Sequence, residues 1–211
     1  MPGSARSGPP PSRRDQIIEV AAGLFAERGF HGVSVYDIGA ALGISGPALY
    51  KHFANKEALL GQILVGISEH LLTEGRRRAD AAAEAGPEAV LESLVDGHVD
   101  FALTRPAFIT VQFRDLASLA DADRSTVRRL QRSYVELWVG AIRPVLGADE
   151  TRARAAAHAA FGLINSTPHS ARLGAGRMAA LLRAMALGAL HAAAPAAPAA
   201  PTRPTAPLPP P

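Results

Sequence analysis

Cysteine is absent from the 211 residues. That excludes a disulfide framework, a cysteine metal site and a thiol nucleophile, and it suits a reducing compartment. Aromatic residues are scarce, at 5%, although 48% of the chain is hydrophobic. Alanine fills the difference, which favours helices packed closely on small side chains. Lysine is nearly absent: Lys51 and Lys56 stand alone, and arginine carries the remaining positive charge. The net charge of +3 and a pI near 9.8 lean slightly towards an anionic partner. No apolar run reaches the roughly 18 residues of a membrane helix. The opening MPGSARSGPPPS has no apolar signal core. A cytoplasmic protein with no membrane partner is therefore expected. Alternation of period two is also missing, so the expected class is all-α.

The two ends, 1–12 and 192–211, are proline-rich and of low complexity, and are expected to be disordered or extended tails. Between them the spacing of apolar residues predicts nine helices. The first runs from Arg13 to Arg28, with Ile17, Ile18, Ala21, Leu24 and Phe25 on one stripe and Gly29 as its stop. The second starts after Ser34, where Ser34 and Asp37 form an acidic capping box and Val33 and Ile38 a hydrophobic staple. It ends at Gly43. The third starts after a Ser45 cap and ends near Phe53; the fourth starts after Asn55 and reaches about Arg78. Five more follow, over about 88–103, 107–119, 124–146, 149–165 and 176–191.

Helices 2 and 3 are short, capped and joined by Leu42-Gly43-Ile44-Ser45, which is the spacing of a helix-turn-helix. Leu49 and Phe53 lie one turn apart and face inward with Ile38 and Leu42. Gly46, Pro47, Ala48, Tyr50, Lys51 and His52 are left on the other faces. A helix of that length needs a scaffold. Small residues at the start of a recognition helix let it approach base edges, and polar tips such as those of Tyr50 and His52 reach phosphates. Lys56 sits in the first turn of helix 4, where the helix dipole disfavours a cation unless an anion lies beside it; a phosphate clamp is the expected explanation. Two readings stay open for the pair: a DNA reader, or a packing corner with a half-buried Tyr50 and a solvated lysine.

The stretch GVSVYDIGAALGISGPALYKHFANKEALL, preceded by IIEVAAGLFAERGF, resembles the DNA-binding signature of the tetracycline-repressor (TetR/AcrR-like) family of transcriptional regulators. The match is strong over about Gln16 to Leu60. The resemblance implies a nine-helix regulator of two subdomains. A helix-turn-helix unit over 13–60 binds double-stranded operator DNA, and a bundle over 61–191 binds a small-molecule effector and forms a homodimer. Carried over by position, it implies DNA contacts from Ser34, Tyr36, Ser45, Gly46, Pro47, Ala48, Tyr50, Lys51, His52 and Lys56. Some relatives have an arginine near the Tyr36 position for reading guanine; this chain does not, so the base code does not transfer. No cofactor, metal or catalytic residue is implied.

In the expected bundle, His98, Phe108, Gln112, Phe113, Arg114, Tyr134 and Trp138 are the candidate effector-binding residues. An apolar cavity with a few polar groups is the expected form, and a lipophilic effector follows from it. Such an aromatic cluster is more often plain core than a binding site, and His98 reads also as a hydrogen-bonded core histidine. The last two helices are rich in alanine and glycine. Their stripes Ala157, Phe161 and Ile164, then Leu181, Leu182 and Met185, are expected at a two-fold interface, the alternative being a pair within one chain. Helix 4 is expected to carry the effector's signal to the DNA unit. The competing functions are an effector-independent DNA-binding or architectural protein and a helical enzyme; the seven scattered histidines offer the latter no plausible site.

Overall fold

The computed structural model describes residues 12–195. Apart from Ser12 and residues 192–195, the two expected tails lie outside the described residues. Among the described residues 3-10 turns follow the fourth and sixth helices, at Ala83–Ala85 and Leu116–Ser118; all nine expected helices form, and one further α-helical turn is added. In chain order they are α1 (Arg13–Arg28), α2 (Val35–Leu42), α3 (Gly46–Leu49), α4 (Lys56–Ala82), α5 (Pro87–Thr104), α6 (Pro106–Asp115), α7 (Asp121–Leu146), α8 (Glu150–Ile164), the added α9 (Thr167–Ser170) and α10 (Ala175–Ala192). Among the described residues there is no strand, and no helix is long and apolar enough to cross a membrane.

Helix ends follow their capping chemistry. Ser12, assigned to the tail by composition, is the N-cap of α1: its hydroxyl accepts from the Asp15 N–H, and the Asp15 carboxylate accepts from the Ser12 N–H. Ser34 and Asp37 make the expected box at α2, at 2.7 and 3.2 Å. Ser45 does not cap α3 with its side chain. The reason is local: Pro47 has no N–H, and the Ala48 N–H is taken by the Ser45 carbonyl at 2.9 Å. The α-helical geometry of α3 also stops at Leu49, earlier than the spacing predicts. The chain then reaches Phe53 through tight turns, with the Tyr50, Lys51 and His52 amides donating three residues back. α7 begins three residues before the expected Arg124, with Asp121 and Asp123 in its first turn where the dipole favours acids.

α1 and α2 pack together, α3 packs on α2, and Ile17, Phe25, Ile38, Leu49 and Phe53 are buried between them. The larger half is built around α7, which lies against α4, α5 and α8; α10 closes the other side on α5 and α8. One continuous core runs through both halves. The halves meet mainly where α1 rests on α6, and less extensively where it meets α4. Helix 4 was expected to join the halves; it does meet α1, but the α1–α6 contact is the larger link.

Candidate functional site

The helix-turn-helix is held tight by two glycines. A Cβ on Gly39 of α2 would sit 2.8 Å from the Ile44 carbonyl oxygen, so only glycine lets α2 lie so close to the turn. Gly43 takes the left-handed conformation that ends α2, at φ 66°. Arg13 adds a brace by donating to the Leu42 carbonyl at 2.9 Å. On this frame Ser34, Tyr36, Ser45, Pro47, Tyr50, Lys51 and His52 are all exposed, with Tyr36 at 69%, and Ala48 is half-buried. These are the residues that the sequence placed at DNA.

Three of the expected DNA contacts have a different geometry. Gly46 is buried, because the Tyr36 ring lies over it; a Cβ there would meet the ring at 2.8 Å. The Ser34 hydroxyl is engaged in its own capping box, donating to Asp37 Oδ2 at 2.6 Å. Asp37 is correspondingly held below the usual carboxylate range, first by that hydroxyl and then by the Ser34 N–H. Lys56 is turned inward rather than towards solvent. Its ammonium donates to the Phe30 and Val33 carbonyls at 3.0 and 2.8 Å and lies 4.4 Å from the Phe30 ring centroid. What offsets its unfavourable place in the dipole is thus not an anion but the dipoles of two main-chain carbonyls in the α1–α2 loop and the Phe30 ring face.

The larger half contains a cavity of about 230 Å³ among α4, α5, α6, α7 and α8. Of the seven candidates, His98, Gln112, Phe113 and Tyr134 line it. Phe108 is instead core, and Trp138 is fully buried behind the wall, edge-on to Phe161 at 4.8 Å. Arg114 leaves the cavity altogether. Its guanidinium donates to the Phe25 carbonyl, which also accepts from the Gly29 N–H, and, at 3.2 Å, to the Ala26 carbonyl, both in the last turn of α1. The buried Asp115 carboxylate beside it holds the guanidinium through two bonds of 3.1 Å. A cation at a helix C-terminus is favoured by the dipole.

His98 is the polar centre of the wall. Nδ1 lies 3.2 Å from the Tyr134 hydroxyl and Nε2 3.1 Å from Asn165 Oδ1. Because Asn165 Oδ1 only accepts, Nε2 carries the proton and Nδ1 accepts from Tyr134. Burial pushes the imidazole down to about 4, with the Asn165 bond opposing. Burial likewise pushes the Tyr134 phenol well above its usual range. The Trp138 indole N–H opposes that shift from nearby, yet has no partner in hydrogen-bond geometry. His98 is therefore both a satisfied core histidine and part of the cavity wall.

Phe161 belongs to that wall as well, stacked on Tyr134 at 5.6 Å, rather than to an outer face. Ala157, Ile164 and Leu182 are also buried within the chain, so they are not at a surface; Leu181 and Met185 are exposed, at 43% and 49%. Lining residues that the sequence reading missed include Gln131 and His158; Asn165 also lines it, at the start of the polar NSTPHS stretch that reads from sequence either as a pocket entrance or as a simple loop. His158, Phe161 and Asn165 recur at helical spacing, and of these only Phe161 was expected at the dimer interface.

Residues 17–63 match the family model of bacterial regulatory proteins of the tetR family, and residues 84–171 match a tetracyclin repressor-like C-terminal domain. The chain is 32% identical over 140 residues to the HTH-type transcriptional repressor KstR2 of Rhodococcus jostii, a stretch that spans 66% of each chain. The TetR family transcriptional regulator PfmR from Thermus thermophilus superposes with a TM-score of 0.73 at 26% identity, over 85% of this chain and 96% of that one. The ketosteroid transcriptional regulator KstR2 of Mycobacterium tuberculosis shares the fold, with a TM-score of 0.73 at 24% identity over 86% and 96%. With its exposed reading head, its helical bundle and these relatives, which are regulators and not enzymes, the chain belongs to the TetR family and is a DNA-binding transcriptional regulator.

Proposed function

We propose that this regulator is a homodimeric repressor released from a palindromic operator by a lipophilic effector bound in the cavity. The observation that carries the release step is the double role of α6. Ile109, Gln112 and Phe113 line the cavity, and the next residue, Arg114, grips the last turn of α1. An effector that shifts α6 therefore moves the anchor of the reading head. Two further links join the same parts: Arg105 to Glu19 at 2.6 Å, and Ser118 to His31 at 3.2 Å. Release requires only that the effector bind more tightly to the arrangement that spaces the two heads wrongly.

Support for the dimer comes from the outer sides of α8 and α10. Ala155, Ala159 and Gly162 on α8 and Leu181, Ala184 and Met185 on α10 are exposed. Small residues let two such helix pairs approach closely about a two-fold axis.

The test follows operator binding by fluorescence anisotropy while a ligand proven to bind by calorimetry is added. Arg114→Ala should keep ligand affinity within about twofold and lose most of the ligand's effect on DNA. If the variant releases DNA as the parent protein does, the α6 route is wrong.

A further inference from the structure

With Lys56 turned inward, the cations that face the DNA backbone lie elsewhere on the reading head. Arg13 donates to the Leu42 carbonyl and to Gln16 Oε1, at 2.9 and 2.8 Å, and Arg28 lies 3.8 Å from the Glu27 carboxylate. Arg14, Lys51 and His52 are exposed, and among the described residues their side chains have no hydrogen-bond or ion-pair partner.

Arg14 differs from the other two in being held. Its guanidinium carbon lies 5.1 Å from the centroid of the Phe53 ring, which is itself buried. Phe53 directly follows Lys51 and His52, in the turn that leads from α3 to α4. The start of α1 is thereby brought against the end of the reading head. A ring face attracts the cation without accepting from its N–H groups as an oxygen does, so the donor fork stays available. A guanidinium already seated on a ring also loses less freedom when it binds a phosphate.

Charge points the same way. Arg14 stands in the first turn of α1, where the dipole disfavours a cation. Two oxygens offset that for Arg13, and none does so for Arg14 among the described residues. Of the acids between residues 12 and 60, Asp15 and Asp37 are held in capping boxes, Glu19 by Arg105 and Glu27 by Arg28. Glu57 alone is left to face the three basic side chains.

We propose that Arg14 is a DNA-positioning residue: seated on Phe53, it makes the backbone-phosphate contact expected of Lys56, at the edge of the site that α3 reads. Such a contact fixes the register of the head on the duplex and carries no base information.

The test titrates the full chain with two duplexes of equal length over a series of salt concentrations. One duplex is recovered by the protein from a random pool, and the other has arbitrary sequence. Arg14→Met keeps an unbranched apolar stem on Phe53. Its logarithmic slope of affinity against salt should fall by about one for each reading head bound, hence by about two for a dimer, on both duplexes. Arg14→Lys should restore most of the slope, because a point charge still reaches the phosphate. Phosphate ethylation should interfere at one position fewer in each half-site for Arg14→Met than for the parent protein. A slope or an ethylation pattern equal to the parent's overturns the proposal, and a lowered urea midpoint in that case would reduce Arg14 to a cover for Phe53. A changed base preference in a repeated selection would also overturn it, by moving Arg14 from the backbone to a base edge.

Discussion

At the scale of single residues, Lys56 and His98 are the two polar groups whose surroundings decide their role. Lys56 donates to two carbonyls of the α1–α2 loop, and hydrogen bonds from a charged donor contribute about 1.5–3 kcal/mol each at most. Lys56→Met should therefore lower unfolding stability by about 2 kcal/mol, measured in urea, and weaken operator binding through a slackened loop. The dependence of binding on salt should stay the same, because no phosphate contact is lost. A slope reduced by about one would restore the phosphate clamp that the sequence suggested. His98 makes stability depend on pH. The unfolded imidazole gains its proton as pH falls through about 6.5, whereas the folded one stays neutral until about 4. Protons therefore bind the unfolded chain first, and stability is lost as pH falls across that window, by about 3 kcal/mol in total. Urea midpoints between pH 7 and 4 should fall more steeply for the parent protein than for His98→Gln; parallel curves would show that burial does not hold this ring neutral.

At the scale of elements, the two close glycines of the helix-turn-helix predict unequal effects. At Gly39 a new Cβ meets main-chain atoms, the Ile44 oxygen at 2.8 Å and the Gly46 nitrogen at 3.1 Å, which cannot swing aside. Gly39→Ala should cost about 1–3 kcal/mol by overpacking and spread α2 from α3. At Gly46 the obstacle is the ring of Tyr36, which is 69% exposed and free to turn away. Gly46→Ala should lose less than half as much stability, and the pair of urea midpoints checks it. The same region marks how far the sequence was legible. Capping chemistry is local, so the starts of α2 and α4 follow from Ser34 and Asn55 and their neighbours within three residues, whereas the Ser12 cap of α1 was hidden by the composition of the tail. The Ser45 cap failed because Pro47 has no N–H and the Ala48 N–H goes to the Ser45 carbonyl; α3 ended early because the Tyr50, Lys51 and His52 amides bond three residues back. Sites made by contacts distant in the chain were less legible. Nothing local in Lys56 points to carbonyls 26 and 23 residues away, nor in Arg114 to the end of α1. For the cavity, helical spacing identified His98 and Tyr134, but which face of α8 turned inward depended on the packing of α7 and α10, and Phe161 was placed on the wrong side for that reason.

At the scale of the whole molecule, one unpaired feature among the described residues is the apolar outer side of α8 and α10. Leu181 and Met185 stand exposed one turn apart, beside Ala184 and Gly188. Isolated exposed apolar residues need no explanation, but a contiguous patch on two adjacent helices does. A two-fold interface places each such residue against the same patch of its partner, so one substitution acts twice. Leu181→Glu with Met185→Glu brings four carboxylates into that seam and leaves the chain's own core untouched, since neither side chain contributes to it. Sedimentation should show a shift from dimer to monomer at micromolar concentration, with the helical circular dichroism spectrum and the urea transition of the folded protomer retained. Operator affinity should fall at least about 100-fold, because two heads on successive major grooves contribute jointly only when joined. Affinity for a single half-site should stay within a few-fold, which separates loss of pairing from damage to the reading head. A variant that remains dimeric would place the interface elsewhere on the molecule and would leave the exposed leucine and methionine to be explained by another partner.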